Sequence, residues 1–272
     1  MPIIGFGVYR IPADETEQAV TDALAAGYRL LDTAASHGNE ETVGRAIENS
    51  GVSREDLFVT TNPYVQDAPA EENTKRAFEK SLNKLGIDYL DLYLMHQPYG
   101  DAYGQWRAME ALNRERLAKA TGVANFYPDR LFGLIINKEI SPPVNQIETH
   151  PFFQRTDYQA LMRKQGVQLQ AWGGFAQGEN GLFTNPVLSE IGKKYKKSVG
   201  QVVLRRAVQR GVASTQKSVR PERMAENLDV FDFALTDDEM ASIATLDTGA
   251  TLFLDHHDPE IVKWLGARRL DD

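Results

Sequence analysis

The feature that most constrains this chain is the regular alternation of short apolar segments with amphipathic segments of helical period. The run "IIGFGVY" precedes the periodic segment "TEQAVTDALAAG", and "YRLLDTA", "NEETVGRAIENSG" and "LFVTTN" repeat that order. Continuously apolar strands that alternate with helices are typical of a buried parallel sheet with right-handed crossovers. About eight such units follow one another, which predicts a closed (β/α)8 barrel, the TIM barrel of the α/β class.

An open, doubly wound sheet is the alternative to the barrel. It would need dinucleotide-binding glycines after the first strand, and "GFGVYR" lacks the G-x-G-x-x-G spacing. The chain has 272 residues and no linker rich in Pro, Gly or Ser. Residues 1–272 are therefore expected to form a single domain.

Charge and cysteine content exclude several classes of partner and chemistry. Thirty Lys and Arg against 38 Asp and Glu give a net charge of −8, which argues against a nucleic-acid partner. The absence of cysteine excludes disulfides, thiolate metal ligands and thiol nucleophiles. No targeting segment or apolar run of about 20 residues is present, so we expect a cytoplasmic protein with no membrane partner.

Polar and aromatic residues follow the predicted strands at the end where a TIM barrel carries its active site. They are Asp32, His37, Asn62, Pro63, Tyr64, His96, Asn125, Gln146, Trp172, Lys217 and Ser218. Packing alone would not place an aspartate and a histidine there unless they pair or face a pocket. The sequence therefore predicts a polar pocket at this mouth.

Seven segments occur in an order that resembles the aldo-keto reductases over nearly the whole chain. They are "LLDTAASHGNEETVG", "LYLMHQPYGD", "GVANFYPDRL", "VNQIETHPF", "GLFTNPVLSEIGKKY", "QKSVRPERMAENLDVFDF" and "ATLDTG". The resemblance implies NADPH-dependent reduction of aldehydes and ketones, with a small carbonyl compound as the partner. We expect a monomer.

The resemblance also implies an NADP molecule extended across the barrel mouth. The matching positions are Asn125 and Gln146 at the carboxamide, Trp172 at the ring face, Lys217, Ser218 and Arg223 at the 2′-phosphate, and Glu226 and Asn227 around the adenine. Two cations and a hydroxyl beside a helix start form a plausible anion site. Ala124 replaces a serine that would bond the carboxamide, and Gln216 replaces a proline before the lysine, so weak binding is expected.

The catalytic group of the resembled family consists of aspartate, tyrosine, lysine and histidine. Asp32 and His96 match the first and last, whereas His37 stands at the tyrosine position and Asn62 at the lysine position. Loss of a positioned general acid removes a factor of about 10²–10⁴ in rate. We therefore expect weak or absent carbonyl reduction, with residual activity through His37, because the unperturbed imidazole pKa of about 6.5 suits neutral pH.

Several alternatives for these residues remain open at the sequence level. His37 could be a satisfied, solvent-facing imidazole, a general base in a non-redox reaction, or a metal ligand together with Asp32 and His96. No metal site is assigned, because Asp32 is expected to be occupied by structural hydrogen bonds and a pair of histidines near a carboxylate commonly arises by chance. Asn62 could stabilise an oxyanion, or its presence could mean only that the positive charge of the family's lysine is absent. Trp172 could serve only to pack the rim of the barrel. Lys217 and Arg223 could belong to a solvated, charged turn that binds no phosphate.

Further departures are concentrated at strand ends and in barrel layers. Arg206 replaces an aromatic residue expected on its helix, and Gly173 and Gly174 follow Trp172. The chain begins almost at its first strand, so the hairpin that closes the barrel bottom in relatives is expected to be absent. This distribution suggests an engineered barrel, or one adapted to bind another ligand. His256 and His257, near the C-terminus, are expected to be solvated.

Overall fold

The structure is a computed structural model that describes residues 1–68 and 70–267. Eight parallel strands close into a barrel in which each strand pairs with the next and the last pairs with the first. The strands are β1 (Ile4–Gly7), β2 (Leu30–Asp32), β3 (Phe58–Thr61), β4 (Leu92–Met95), β5 (Thr121–Ala124), β6 (Val144–Glu148), β7 (Gln168–Trp172) and β8 (Ala213–Gln216). The prediction of a (β/α)8 barrel is confirmed.

Helices surround the sheet and connect its strands. They are α1 (Ala13–Ala26), α2 (Glu40–Asn49), α3 (Glu71–Leu85), α4 (Ala102–Arg114), α5 (Pro128–Asn137), α6 (Thr156–Lys164), α7 (Pro186–Tyr195), α8 (Val199–Gln209), α9 (Pro221–Leu228), α10 (Asp237–Ala244) and α11 (Pro259–Ala267). Helices α1 to α6 each follow one strand, α7 and α8 lie between β7 and β8, and the last three follow β8. No helix in the described ranges is long and apolar enough to cross a membrane.

Local signals in the sequence explain where the chain turns back toward the sheet. Gly27 ends α1 at φ 108°, a left-handed conformation in which its N–H reaches the carbonyls of Ala23 and Leu24. Ser198 begins α8 with a capping box, in which its hydroxyl and the side chain of Gln201 each accept a backbone N–H. Such signals fix where a helix ends or begins, and they therefore set where the chain returns to the sheet.

The largest apolar core lies between the outer face of the sheet and the helices, with Phe6, Tyr93 and Met95 among its fully buried members. Smaller and more polar side chains lie among the barrel strands. Gln170 is fully buried, and neither its amide oxygen nor its amide nitrogen has a hydrogen-bond partner in the described chain. An unsatisfied buried amide opposes folding, so this barrel carries a cost that a wholly apolar filling would avoid.

Candidate active site

Asp32 lies at the carboxyl end of β2, in register with Gly7 on β1 and Thr60 on β3. Its two carboxylate oxygens accept hydrogen bonds from Nε2 of Gln146 at 3.2 Å, and Oγ1 of Thr215 donates to one of them at 3.4 Å. Burial raises the pKa of Asp32 to about 7, and these two hydrogen bonds only partly oppose the increase. Because both donors are neutral, the carboxyl retains a proton in part at neutral pH.

His37 ends a short 3₁₀ turn, Ala35–His37, that follows β2. Its ring packs against the half-exposed ring of Tyr9, with the centroids 5.1 Å apart, and its Nδ1 is enclosed with no hydrogen-bond partner in the described chain. The His37 side chain is partly buried, and its Nδ1 is not satisfied by any described residue. Burial, helped by the nearby His96, lowers the pKa of His37 to about 3. This direction disfavours His37 as a proton donor tuned to neutral pH, because desolvation disfavours the imidazolium.

His96 follows β4 and resembles His37 in its environment. Its Nδ1 is buried without a partner in the described residues, and burial, with a contribution from His256, lowers its pKa to about 4. Its backbone carbonyl accepts a hydrogen bond from Nδ2 of Asn125 at 3.1 Å. Both imidazoles at the mouth are therefore neutral at pH 7.

Asn62 follows β3 and is buried. Its Nδ2 donates to the carbonyl of Thr33 at 3.4 Å, and its Oδ1 has no partner in the part of the chain that is described. Its backbone carbonyl accepts the N–H of Ala35 at 2.9 Å, which fixes the turn that carries His37. This residue supplies an amide dipole and no positive charge to the mouth.

A divalent metal held by Asp32, His37 and His96 was one sequence-level alternative. The described residues contain no group of three or more histidine, cysteine, aspartate or glutamate side chains that could hold a metal ion. The triad is therefore not assembled as a metal site in the described structure.

The residues predicted at the nicotinamide end lie together at the mouth. Nε1 of Trp172 donates to Oδ1 of Asn125 at 2.9 Å, and Asn125 adopts a left-handed backbone with φ 60°. The Trp172 ring also packs against Phe253, with the centroids 5.7 Å apart. Gln146 is engaged with Asp32, and Ala124 is buried. The amide of Asn125 thus has a protein partner at each end.

The residues predicted around the adenine and its phosphate lie in the turn before α9 and within that helix, of which Pro221 is the first residue. Lys217 and Arg223 are exposed, and Nε of Arg223 lies 3.8 Å from Oε2 of Glu226. Ser218 accepts the N–H of Arg220 at 3.1 Å in a local turn. Asn227, in the same helix, is buried and bonds to Tyr28.

The chain after α10 closes over one side of the mouth, and it is held there by an anchor at Glu148 that sequence reasoning missed. Buried Glu148 anchors it, because Oε2 accepts the Thr251 hydroxyl at 2.5 Å and Oε1 accepts the Leu252 N–H at 2.9 Å. Oε1 also accepts Nε2 of His150 at 2.9 Å. The sequence signal that could have indicated this anchor is the presence of a carboxylate at the end of a buried strand.

The expectation that His256 is solvated is wrong. It is 8 % exposed, its Nε2 lies 3.3 Å from Nε2 of Gln97, and its carbonyl accepts the Tyr99 hydroxyl at 3.2 Å. Burial lowers the pKa of His256 to about 4. His257 is exposed and its ring stacks on Tyr127 with 3.8 Å between centroids. Only one of two adjacent histidines on a loop can point inward, which explains the difference.

A closed parallel barrel with polar side chains converging at the carboxyl ends of its strands defines the class of TIM-barrel proteins whose pocket lies at that face. The model of the Aldo/keto reductase family matches residues 4–248, and the chain belongs to this family.

Three relatives illustrate the similarity. Morphine 6-dehydrogenase from Pseudomonas putida is 43 % identical over 272 residues, covering 95 % of this chain and 92 % of that protein. Glyoxal reductase from Bacillus subtilis is 44 % identical over 248 residues, covering 90 % and 89 %. The crystal structure of a Bombyx mori aldo-keto reductase in complex with NADP has a TM-score of 0.89 and 34 % identity, covering 97 % of this chain and 93 % of that one.

Proposed function

We propose that this chain is an aldo-keto reductase that binds NADP at the barrel mouth and reduces small aldehydes or ketones slowly. The observation that carries the proposal is the state of Asp32, whose pKa is raised to about 7 by burial and is only partly lowered by its two neutral donors, Gln146 and Thr215. The neutral imidazoles of His37 and His96 and the amide of Asn62 lie at the same mouth. The mouth therefore presents polar groups to a carbonyl compound. Among the described residues, however, it has no cationic acid that could protonate the carbonyl oxygen.

The residues present fit NADP better at its phosphate end than at its nicotinamide end. Exposed Lys217 and Arg223 beside the first turn of α9 suit a phosphate, because cations and free helix N–H groups both favour anions. At the other end, Asn125 already bonds to Trp172 and His96, and Ala124 offers no hydroxyl. We therefore expect the chain to bind NADP, but with reduced affinity.

When bound, NADPH would supply the hydride, and the chain's own residues would have to orient the carbonyl and supply a proton. His37 and His96 cannot supply one readily, because their lowered pKa values leave them neutral at pH 7. Asp32 holds a proton but is only 8 % exposed and is bonded to Gln146 and Thr215. Slow protonation of the product oxygen follows from this placement.

Binding is tested by titrating the protein with NADPH and following tryptophan fluorescence. The chain has three tryptophans, so Trp172→Phe is the matched control that assigns the quenching to the mouth. We expect quenching in the parent protein and its loss in the control. No binding in either protein, judged also by calorimetry, would contradict an NADP-dependent function.

Turnover is tested by consumption of NADPH with a small aldehyde such as glyoxal. The double substitution His37→Tyr with Asn62→Lys places a phenol and an ammonium at the mouth, and we expect kcat/KM to rise by about 10²–10⁴. His37→Phe with Asn62→Lys lacks the phenol hydroxyl and should not gain. Brisk turnover by the parent protein, or no gain in the double variant, would contradict the proposed defect.

A ligand-binding barrel that performs no reduction is the second candidate. Three buried polar atoms favour it, namely Nδ1 of His37, Oδ1 of Asn62 and Nδ1 of His96, because none has a hydrogen-bond partner in the described residues. Unpartnered polar atoms lining one mouth are suited to a polar ligand. A non-redox reaction with His37 as the base is less well supported, since a pKa of about 3 leaves little basicity.

A further inference from the structure

A small cavity with both polar and apolar lining lies in the wall of the barrel, between α8 and strands β7 and β8. Its volume is about 10 Å³, and its lining includes Thr149, His150, Gly174, Arg206, Arg210 and Ser214. A volume of this size accommodates one particle about as large as a water molecule. The cavity uses none of the side chains assigned above to the reaction or to NADP.

Arg206 points from α8 into this region and is 5 % exposed. Its Nη2 donates a short hydrogen bond to Oε1 of Gln154, whereas its Nε is buried with no partner in the described chain. The resemblance predicts an aromatic side chain at this helix position. A ring would fill the space without charge, but a guanidinium brings a positive charge and unused donors.

Arg210, one turn further along the chain, presents the same situation. Its Nη2 donates to the carbonyl of Gln154 at 2.8 Å and to Oε1 of Gln159 at 2.7 Å, and its Nη1 is buried without a partner in the described residues. Every acceptor around the two guanidinium groups is neutral. Two positive side chains therefore line one small cavity, and each has a buried nitrogen without a partner in the described residues.

No carboxylate in the described ranges forms an ion pair with either arginine. The nearest acid that acts on them is Asp247, whose Oδ1 accepts the N–H groups of Gln154 at 3.3 Å and Gly249 at 3.0 Å. Burial, with repulsion from Arg210, lowers the pKa of Arg206 to about 9, which leaves it charged at neutral pH. A buried charge without a counter-charge is costly.

We propose that this cavity binds one monovalent anion of halide size, chloride in ordinary buffers, between the guanidinium groups of Arg206 and Arg210. The small space favours an anion of one atom over sulfate, phosphate and carboxylates, which have several heavy atoms. The anion lies beside the guanidinium groups of Arg206 and Arg210, which line the cavity, and compensates their two charges. A water molecule is the competing occupant, since it could also donate to the unpartnered Nδ1 of His150, but it leaves both charges uncompensated.

The test measures thermal unfolding at fixed pH and fixed ionic strength while sodium gluconate is replaced by sodium chloride. Selective binding to the folded state raises the midpoint by mass action, and we expect a saturable increase of about 2–4 °C. Arg206→Met should abolish the chloride dependence. Arg205→Met is the matched control, because this neighbouring arginine bonds to Gln209 and Val230 and does not line the cavity.

Equal chloride responses in the parent protein and in Arg206→Met would overturn the proposal. If Arg206→Met does not fold, crystals of the parent protein grown in sodium bromide decide the question without any variant. An anomalous peak between the two guanidinium groups supports the anion. A water molecule there, with no anomalous signal, overturns it. Neither measurement involves NADPH or turnover, so failure here is distinguishable from failure of the proposed reductase function.

Discussion

Asp32 shows how the chemistry of a carboxyl group is set by its partners rather than by its identity. At the end of β2 it is buried and meets only the amide of Gln146 and the hydroxyl of Thr215. Neutral donors stabilise the carboxylate less than a cation would. Burial raises the pKa of this acid to about 7 because the two neutral donors only partly oppose it, and burial also lowers the pKa values of the imidazoles at the same mouth.

The raised pKa of Asp32 predicts a cost to stability at alkaline pH. The pKa is about 7 in the folded protein, against an ordinary value of 3.8, so the folded state holds the proton more tightly. The group therefore opposes folding progressively as pH rises from about 4 to 7, and most fully above 7. We expect Asp32→Asn to raise the free energy of unfolding at pH 8 by about 1–4 kcal/mol, since one pKa unit corresponds to about 1.4 kcal/mol.

Urea unfolding of the parent protein and of Asp32→Asn, at pH 8 and at pH 4, measures this difference. The gain should be close to zero at pH 4, where Asp32 is protonated in the folded state. Thr215→Val is an informative companion, because removal of a donor to the carboxylate should increase the alkaline cost. A gain of equal size at both pH values would point to a packing effect instead.

At the scale of elements, the segment after α10 behaves as a cover attached to the barrel by a few polar contacts. Glu148 at the end of β6 holds Thr251 and Leu252, and Gln97 after β4 faces His256. The rings of Phe253 and Trp172 bring the same segment against the proposed nicotinamide end. The cover therefore borders the mouth and shares its sensitivity to the charge state of buried histidines.

Acid should loosen this cover. The pKa of His256 is about 4 in the folded protein, against an ordinary 6.5, so the neutral form is the one that folds. Its contribution to stability is complete above about pH 6.5 and is lost as the pH falls toward 4. We expect His256→Gln, which keeps a polar partner for Gln97, to reduce the loss of stability between pH 7.5 and pH 5 by about 1–2 kcal/mol.

Urea unfolding at pH 7.5 and at pH 5 measures this loss of stability directly. His257→Gln is the matched control, because His257 is exposed on the same segment. Hydrogen exchange of residues 250–256 at pH 5 locates the effect. An unchanged acid sensitivity in His256→Gln would assign it to His37 and His96, whose pKa values are lowered in the same direction.

For the whole molecule, polar side chains inside the barrel carry a cost in stability. Gln170 is fully buried with both amide atoms unpartnered in the described residues, whereas Gln168 in the same strand donates to the carbonyls of Leu169 and Gly211 at 2.7 Å. Removal of an unsatisfied amide by an apolar residue of similar shape removes its desolvation cost. We expect Gln170→Met to raise the free energy of unfolding by about 1–3 kcal/mol.

Chemical denaturation of Gln170→Met measures the change, with Gln168→Met as the matched control. The control should lose stability, because it removes two hydrogen bonds that the parent protein makes. If Gln170→Met also loses stability, Gln170 is satisfied in solution and its amide contributes to folding rather than opposing it.

The sequence by itself determined the barrel and the identities of the side chains at its mouth. Apolar strands alternating with helices, and stops such as Gly27, are local properties that a single chain displays. The positions of Asp32, His37, Asn62 and His96 after their strands followed from the same pattern. The strands themselves proved shorter than the apolar runs, as β2 (Leu30–Asp32) within "YRLLDTA" shows. The pattern analysis did not include α10 and α11.

Only the tertiary structure decided the charge states and partners of these groups. Thr215 bonds to Asp32 across 183 positions of the chain, and Gln97 meets His256 across 159. No local pattern predicts such pairs, and the depth of burial that sets each pKa depends on how the whole barrel closes. The same holds for Arg206 and Arg210, which line one cavity only because α8 packs against β7 and β8.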